Sequence, residues 1–437
     1  MLRFKDQPLD AEAVLRDGTH RAATLAETWR RFAPAAKRAG ITRIADITGL
    51  DTLGIAVFAA IRPMGKSLST QQGKGISPEA ARVSALMESL ETFSAENIEA
   101  EVVRGSYRAL AKRTNAVDVR RLPLATATDV PAIPARRQAG HDEPVARTRR
   151  QAGHDEPVAP TRRHAVRRGQ LDLDAKHAWI EGFDLIAGES ILVPLEAVTL
   201  DTTFTRPPTF DISSNGLASG NVLVEAIVHG LCEVLERDAE AAWRRSGGDR
   251  RLVLDSIPDL MCRGLIDRII ASGARVFVWD LASESGRAGT GEGIAAIGAA
   301  IMENPHEPTW RPLGFYQGFG AHLVPEIAIA RALTEAAQTR LTYIAGARDD
   351  FFPFDYARAT DPELLVDLWQ RLAAPCDEPV AFDELPRHDT RGLGEELEML
   401  CGMCEQVIVV DLTHGKLRVP VVKVIVPGRA TDVEALG

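Results

Sequence analysis

A chain of 437 residues with 45% apolar and 26% charged residues has the balance of a globular protein with a sizeable core. No apolar run approaches the roughly 20 residues that span a bilayer. The net charge of −10 disfavours nucleic acids and anionic membranes as partners. The opening segment MLRFKDQPLDAEAVLRDG lacks the apolar core of a secretion signal, so a cytoplasmic protein is expected.

Taken in chain order, the sequence alternates helical and β-branched segments. Residues 55–61 predict a strand, and residues 77–99 predict a long helix that opens with the capping pattern Ser-Pro-Glu. Further long helices are predicted at 222–242, with Asn221 as its cap, and at 328–346. Further strands are predicted at 191–194, 274–280, 293–302, 407–412 and 419–426. This order has no strict βαβ period, which indicates an α+β fold of mixed α/β layers.

A tandem repeat interrupts this order. Residues 137–149 read RQAGHDEPVARTR, and residues 150–162 read RQAGHDEPVAPTR. The unit is rich in Arg, Gly, Pro and Asp and offers almost nothing to bury. We therefore interpret residues 134–168 as a flexible surface insertion. A basic arm that recognises an acidic peptide is the alternative.

The five cysteines are an odd number, which argues against a disulfide framework. Cys401 and Cys404 form a lone Cys-x-x-Cys pair. A zinc site of four thiolates needs a second pair, and a redox pair needs a turn from strand to helix. Here a helical pattern precedes a strand, so ordinary packed thiols are expected.

The first long helix places acidic side chains on one face. Ser84, Glu88 and Glu91 follow one another at i, i+4 and i+7. At about 100° per residue, they fall within roughly 60° of one another. No lysine or arginine accompanies these glutamates at the i+4 spacing that is typical of an exposed helix face.

The second long helix repeats the pattern with Glu225, His229, Glu233 and Glu236, and apolar residues lie on both sides of this stripe. Only Glu233 has a cation at i+4, which is Arg237. Crowded carboxylates are stabilised by shared hard cations, and Mg²⁺ is the common intracellular one. The two helices together predict a magnesium site, with a solvent-facing acidic ridge as the alternative. His229 is equally compatible with a core histidine.

Cationic residues accompany these carboxylates. Arg237 directly follows the second stripe, and Arg340 and Arg348 lie on and after the third helix. Guanidinium groups suit phosphate oxygens. Gly73-Lys74-Gly75 resembles half of a phosphate loop, but the full GxxxxGK[ST] pattern is missing. The residues alone indicate a magnesium-dependent enzyme that acts on a phosphorylated ligand, and no protein nucleophile is assigned.

Six segments of the chain resemble motifs of the YcaO-domain family. GKGISPEAARVSALMESLE contains the first acidic stripe, SSNGLASGNVLVEAIVHGLCEVLERDA contains the second, and EAAQTRLTYIAGARDDF begins on the third helix. GTHRAATLAETW, GITRIADITGLDTLGI and VPVVKVIVPG match near the start, before the first helix and near the end. The resemblance implies a YcaO-type ATP-binding fold rather than a P-loop or Rossmann fold.

Carried over by motif position, the resemblance implies ligands for Mg²⁺ and ATP. The Mg²⁺ ligands would be Glu88, Glu91, Glu233 and Glu236. The ATP contacts would be Arg21, Thr28, Lys74, Ser84, Asn221, Glu225, Arg237, Gln338 and Arg348. An N-terminal segment 1–60 would contribute to the ATP site, and a catalytic domain 61–430 would be interrupted by the insertion 134–168.

In the YcaO family a nucleophile adds to a peptide-backbone carbonyl, and the resulting oxyanion takes the γ-phosphoryl group of ATP. A side-chain nucleophile gives an azoline and an external sulfur donor gives a thioamide, so the resemblance implies a peptide or protein substrate. The chain ends at Gly437 without the Pro-rich tail typical of azoline-forming members, and it has no obvious leader-binding domain. This favours the branch found beside TfuA-type proteins, with a TfuA-like or leader-binding partner. A homodimer is left open.

Two other functions stay open on the sequence. A carboxylate-bridged di-metal enzyme in a helical bundle would explain the glutamate-rich helices. That site needs Glu-x-x-His, however, and Glu225-x-x-x-His229 is one residue too long. The other is a non-catalytic ATP-binding scaffold, which includes an accessory factor for ribosomal protein S12 methylthiolation.

Overall fold

The computed structural model describes residues 1–16, 18–127, 167–168, 171–203, 207–281 and 293–429. The helices are α1 (Leu25–Phe32), α2 (Pro78–Glu96), α3 (Tyr107–Leu110), α4 (Leu223–Ser246), α5 (Leu260–Ala271), α6 (Pro325–Ala345), α7 (Pro353–Ala359), α8 (Pro362–Ala373) and α9 (Leu393–Gly402). Within the described part of the chain, no helix has both the length and the apolar character needed to cross a membrane.

The strands are β1 (Arg3–Phe4), β2 (Gln7–Pro8), β3 (Arg43–Asp46), β4 (Ala56–Ile61), β5 (Thr70–Gly75), β6 (Val103–Ser106), β7 (Thr126–Ala127), β8 (Arg167–Arg168), β9 (Lys176–Asp184), β10 (Glu189–Pro194), β11 (Leu217–Ser219), β12 (Ala274–Asp280), β13 (Ala295–Glu303), β14 (Tyr316–His322), β15 (Ile408–Asp411) and β16 (Val421–Ile425). The tandem repeat, and nearly all of the insertion expected at 134–168, lie outside the described residues. Strands β7 and β8, which flank this segment, pair antiparallel.

The largest sheet of the described residues has six antiparallel strands. Its order is β10–β9–β15–β16–β11, and β6 pairs with the first residues of β9. Successive residues of a strand face opposite sides of a sheet. Val422 and Val424 of β16 therefore pack in one core with α4, and Val421 and Ile425 pack in another with α2. Strand β11 forms the edge of this sheet.

Two three-stranded sheets complete the layers. The sheet β12–β13–β14 packs with α5 and α6 around a third core, and the sheet β3–β4–β5 packs against α2. Helix α6 contacts both β14 and β5. The three long helices α2, α4 and α6 are thereby brought to one region of the molecule. The mixed helix and sheet arrangement confirms the predicted α+β class.

The predicted long helices and the predicted strands are all present, with bounds that differ by a few residues. Ser77 caps α2, because its side chain accepts a hydrogen bond from the Ala80 N–H at 3.2 Å. The expectation that Asn221 caps α4 is wrong. The cap residue is Val222, and the Asn221 side chain is engaged elsewhere. Strands β5, β9 and β14 were not predicted, since their sequences lack a clear run of β-branched residues.

Candidate functional site

A cavity of about 600 Å³ lies beside the edge strand β11, between α2, α4 and α6. Strand β5 and the segment that leads into α1 complete its wall. The cavity is lined by every residue to which the family resemblance assigned a ligand role: Arg21, Thr28, Lys74, Ser84, Glu88, Glu91, Asn221, Glu225, Glu233, Glu236, Arg237, Gln338 and Arg348. The structure thus collects these residues from both ends of the chain, and their roles as ligands remain predictions.

One wall of the cavity is a hydrogen-bonded group at the start of α4. Thr28 Oγ1 donates to Asn221 Oδ1 at 2.9 Å, and Asn221 Nδ2 lies 3.2 Å from both oxygens of Glu225. The Ala22 N–H also donates to Glu225 at 2.9 Å, and an Arg21 nitrogen lies 3.5 Å from this carboxylate. The segment before α1 is therefore joined directly to the second acidic stripe, which explains why Asn221 does not act as a helix cap.

The opposite wall carries paired charges. Lys74 Nζ lies 2.6 Å from one oxygen of Glu335, and an Arg237 nitrogen lies 3.6 Å from the other. Glu236 has two more distant cations, Arg237 at 3.7 Å and Arg331 at 3.8 Å. Burial alone would raise the pKa of Glu335, but Lys74 and Arg237 hold that pKa at about 2. Glu335 is therefore ionised at neutral pH.

Three other carboxylates lack such partners. Among the described residues, no lysine or arginine forms an ion pair with Glu88, Glu91 or Glu233. Burial raises the pKa of Glu88 to about 7 and that of Glu233 to about 7. Burial, together with the charges of Glu88 and Glu233, raises the pKa of Glu91 well above its ordinary value. More distant cations, Lys74 for Glu88 and Arg237 for Glu233, lower these pKa values but do not offset the effect of burial.

The donor set formed by these carboxylates fits Mg²⁺. Mg²⁺ takes oxygen ligands, and carboxylates crowded in a partly enclosed site favour it because it offsets their mutual repulsion. Glu88, Glu91 and Glu233 would supply such oxygens from two helices without breaking an existing ion pair. Glu236 is the fourth expected ligand, and one of its oxygens accepts a hydrogen bond from the Ala321 N–H at 3.1 Å.

Gly73-Lys74-Gly75 ends strand β5 and is not a phosphate loop. The strand lies so close to α2 that a Cβ on Gly73 would stand 1.9 Å from the backbone nitrogen of Ala85. The glycines thus serve close packing of strand on helix rather than a turn around phosphate. Lys74, between them, extends to Glu335 and into the cavity.

Two predicted ATP contacts line the cavity with their polar groups already engaged. Gln338 Nε2 donates to the carbonyl of Gln72 at 2.8 Å. Arg348 binds Asp350 with two nitrogens, one of them at 2.7 Å. Its side chain is 32% exposed, so a phosphate oxygen has access to the remaining guanidinium donors.

Arg340, which the sequence had offered as a phosphate contact, has a structural role instead. It is 1% exposed and binds Asp51 at 2.7 Å and Glu303 at 2.5 Å. At about 100° per residue, it lies about 180° around α6 from Arg331. The expectation for Arg340 is therefore wrong, because its side of the helix faces the core.

The sequence reasoning missed Arg331 and did not assign Glu335. Both line the cavity together with Gln338. These residues stand at i, i+4 and i+7 of α6, which is the same spacing that singled out the acidic stripe of α2. Applying that spacing test to the third helix would have found them.

His229 lines the cavity and pairs with a cation. Its Nε2 lies 3.0 Å from a guanidinium nitrogen of Arg331. Burial lowers the pKa of His229 well below its ordinary value, so the neutral imidazole accepts this hydrogen bond. His229 is therefore hydrogen-bonded to a neighbouring helix and also lines the cavity.

Cys401 and Cys404 are packed thiols, as expected. Both are free, and burial raises the pKa of Cys401 to about 12. Burial also raises the pKa of Cys404. A thiol with a raised pKa is a poor nucleophile and a poor metal ligand at neutral pH.

Comparison with known proteins assigns the family. A family model described as YcaO cyclodehydratase, ATP- and Mg²⁺-binding, matches residues 72–430. The chain belongs to the YcaO family. This YcaO protein is also 32% identical over 439 residues to a protein of Rhizobium leguminosarum bv. trifolii described as lying in the tfuA 3′ region, with 97% of this chain and 91% of that protein covered.

Two solved structures share the fold of this chain. The structure of YcaO from Methanopyrus kandleri bound with AMPPCP and Mg²⁺ aligns with a TM-score of 0.66 and 25% identity over 97% of this chain and 96% of that one. A heterocyclase in complex with substrate and cofactor aligns with a TM-score of 0.71 and 19% identity. The alignment covers 98% of this chain but 55% of the heterocyclase. The fold is therefore the YcaO fold, and neither a P-loop nor a Rossmann fold.

Proposed function

We propose that this YcaO protein uses ATP and Mg²⁺ to phosphorylate the oxygen of a peptide-backbone amide, and so forms a thioamide or an azoline in a peptide or protein. The observation that carries the proposal is the arrangement of charge in the cavity. Unpaired carboxylates (Glu88, Glu91 and Glu233) lie beside a group of cations (Lys74, Arg237 and Arg331). Mg²⁺ and a triphosphate together complement this arrangement.

The carboxylates would hold Mg²⁺, which would offset the charge of the triphosphate. Arg237 and Arg331 lie at the border between the carboxylates and the rest of the cavity, within 3.8 Å of Glu236. Arg237 binds Glu240 with one nitrogen at 2.7 Å, and its other guanidinium donors and those of Arg331 are suited to phosphate oxygens. Lys74 would supply a further positive charge, although it must share that charge with Glu335.

The segment at the start of α4 would bind a polar part of the nucleotide. Asn221 and Glu225 form a continuous hydrogen-bonded group with Thr28, and Arg21 lies at its solvent side with 26% of its side chain exposed. Such a preorganised group can bind a ligand without first rearranging. We propose that these residues fix ATP relative to the bound cation.

The reaction transfers the amide oxygen to phosphate. A nucleophile, either sulfide or a side chain of the substrate, adds to the carbonyl carbon, and the C=O electrons move to oxygen. This oxyanion attacks the γ-phosphorus, and the bond between that phosphorus and the β–γ bridging oxygen breaks with release of ADP. Phosphate then leaves with the former amide oxygen as the new C=S or C=N bond forms and a proton is lost. Positioning and charge stabilisation suffice for this chemistry, so no protein nucleophile is needed.

We further propose a TfuA-like partner and a thioamide product. The support is the similarity to a protein described as lying in the tfuA 3′ region, which this chain matches over nearly its whole length. The assembly of this chain with itself is a separate question that mass measurement in solution would answer. Comparing thioamide formation with and without the TfuA-like protein tests the partner directly.

Isotope labelling tests the reaction. A precursor peptide carrying ¹⁸O at the reacting carbonyl is incubated with ATP, Mg²⁺, the partner and a sulfur source. Amide activation predicts labelled phosphate that forms in step with the modified peptide. A peptide that becomes modified while phosphate carries only solvent oxygen would overturn the mechanism, since a two-metal hydrolase would use water as the attacking group. ATP binding without any turnover would support the scaffold instead.

A further inference from the structure

A buried group of two histidines and one glutamate lies outside the cavity. His20 Nδ1 contacts Glu396 Oε1, and His322 Nε2 lies 3.9 Å from Glu396 Oε2. The two imidazole rings are nearly perpendicular, with centroids 5.1 Å apart. Thr390 Oγ1 also donates to Glu396 Oε1, at 2.8 Å. The glutamate is 1% exposed, so these neighbours determine its state.

Two histidines and a glutamate at such distances resemble a metal site, but the hydrogen bonds argue against one. The Val324 N–H donates to His322 Nδ1 at 3.0 Å. A neutral imidazole that accepts at Nδ1 carries its proton on Nε2, so the atom that faces Glu396 has no lone pair for a metal. A metal-bound histidine shows the reverse arrangement, with its other nitrogen as a donor.

Glu396 instead accepts hydrogen bonds from His20 and Thr390 at one oxygen, and its other oxygen lies 3.9 Å from His322, too far for a hydrogen bond. Burial alone would raise the pKa of Glu396, but its contact with His20 and the nearby His322 and Thr390 hold that pKa below the ordinary value. Burial lowers the pKa of His322 to about 3, which keeps this ring neutral. The carboxylate of Glu396 is thus held by His20 rather than by His322.

Each histidine is the sequence neighbour of a residue that contacts a different glutamate of the cavity. Arg21, next to His20, lies 3.5 Å from Glu225. Ala321, next to His322, donates its N–H to Glu236 at 3.1 Å. Glu396 is therefore joined to the segment that carries Arg21 through His20, whose ring packs against His322 of the strand β14.

The rest of the N-terminal segment is held mainly by backbone contacts. The Leu393 N–H donates to the carbonyl of Ala11 at 2.9 Å, and Leu15 and Arg21 pair through their backbones at 2.9 and 3.0 Å. His20, 7% exposed, is thus the side chain that anchors the chain immediately before Arg21. Arg16 is a second side-chain anchor of this segment, since it donates to the carbonyls of Thr390 at 3.3 Å and Arg391 at 2.9 Å.

We infer that Glu396 is a positioning residue for the nucleotide site: through His20, which also packs against His322 of β14, it fixes Arg21 at Glu225. This inference rests on the proposed function, in which Arg21, Glu225 and Glu236 surround ATP and Mg²⁺. It predicts that Glu396 influences ATP binding although it does not line the cavity.

The test compares three glutamate and histidine variants by equilibrium binding of AMPPCP with Mg²⁺. In Glu396→Gln the contact with His20 loses the carboxylate charge, so the dissociation constant should rise about tenfold, in keeping with the loss of a charge-assisted hydrogen bond. His20→Ala should behave like Glu396→Gln. His20→Asn should restore binding, because its amide places a donor close to the position of Nδ1.

Glu398→Gln is the matched control. Glu398 lies two residues further along the same helix, is 46% exposed and pairs with the chain N-terminus, so its removal should leave binding unchanged. Melting temperatures measured alongside separate a positioning effect from general destabilisation. If Glu396 had a merely structural role, Glu396→Gln and His20→Asn would both have a lower melting temperature, and His20→Asn would not recover AMPPCP binding.

The outcomes distinguish this inference from the proposed function. If the wild-type protein does not bind AMPPCP with Mg²⁺, the proposed function fails. If the wild-type protein binds and Arg21→Ala weakens binding, but Glu396→Gln binds like the wild type, the positioning role alone is overturned. A stoichiometric transition metal in the purified protein that is lost in Glu396→Gln would likewise overturn it in favour of a metal site.

Discussion

Two kinds of carboxylate line the cavity, and their neighbours make the difference. Glu335 is held ionised by Lys74 and Arg237. Glu88 and Glu233 have no ion-pair partner among the described residues, and burial raises the pKa of each to about 7. A carboxylate of the second kind gains most from a divalent cation, because the cation replaces a proton that the site otherwise retains.

Replacing Glu88 with Gln tests this distinction. Since one of the unpaired carboxylates is removed, the affinity for Mg²⁺ in the presence of ATP should fall at least about tenfold in a calorimetric titration. Protons compete for the same oxygens, so the Mg²⁺ affinity of the wild-type protein should also fall as the pH is lowered from about 8 to about 6. Glu79→Gln, at the exposed start of the same helix, is the control. Unchanged Mg²⁺ affinity in Glu88→Gln would remove Glu88 from the metal site.

The cavity also depends on how closely strands approach helices. A Cβ on Gly73 of β5 would lie 1.9 Å from the Ala85 backbone nitrogen of α2. A Cβ on Gly318 of β14 would lie 2.1 Å from the Ala336 backbone nitrogen of α6. Both distances are impossible for real atoms, so the two strand–helix separations require glycine. The position of Lys74 in the cavity follows from the first of these contacts.

Gly73→Ala should therefore disturb both stability and binding. Overpacking a well-packed contact costs about 1–3 kcal/mol, and here the added atom meets backbone that cannot rotate away. We expect a loss of about 2 kcal/mol in the free energy of unfolding, together with weaker ATP binding. Gly264→Ala in α5 is the control, since no atom lies within 4 Å of its Cβ position. This helical substitution should stabilise the protein by roughly 0.5–1 kcal/mol. Equal stability of Gly73→Ala and the wild type would mean that the strand can shift freely.

At the scale of the whole molecule, three cores hold the layers together. The segment that contains the tandem repeat starts and ends at neighbouring points, because Ala127 of β7 pairs with Arg167 of β8. A segment attached in this way affects the rest of the molecule mainly through the entropy of closing its loop, unless it also packs on the surface.

Deleting one repeat unit, residues 150–162, tests whether the segment acts only through loop-closure entropy or also packs on the surface. Shortening the segment between the paired strands by one unit changes the loop-closure free energy by only roughly 0.4 kcal/mol. The melting temperature should shift by less than about 2 °C, and the affinity for ATP should stay the same. A fall of many degrees in a thermal melt would show that the repeat packs against the body. An unchanged melt with lost peptide modification would support the basic arm that binds an acidic peptide.

The sequence by itself determined the features that depend on local periodicity. The faces of α2 and α4 that carry Glu88, Glu91, Glu233 and Glu236 follow from the 3.6-residue repeat, and so does the start of α2 at Ser77. The order of helices and strands likewise indicated the fold class. These properties involve residues a few positions apart, for which the backbone geometry of a helix fixes the relative directions of side chains.

Only the tertiary structure decided which of these faces meet. Thr28 and Asn221 are far apart in sequence, and their hydrogen bond removes Asn221 from the cap position that its neighbours suggest. Arg331 and Arg340 lie on opposite sides of α6, so that Arg331 faces the cavity and Arg340 faces the core. No local sequence pattern predicts which side of α6 will be covered by β5 and α2. Charge is the deeper reason: whether a carboxylate is paired, as Glu335 is, depends on cations from other elements, and their distances exist only once the chain has folded.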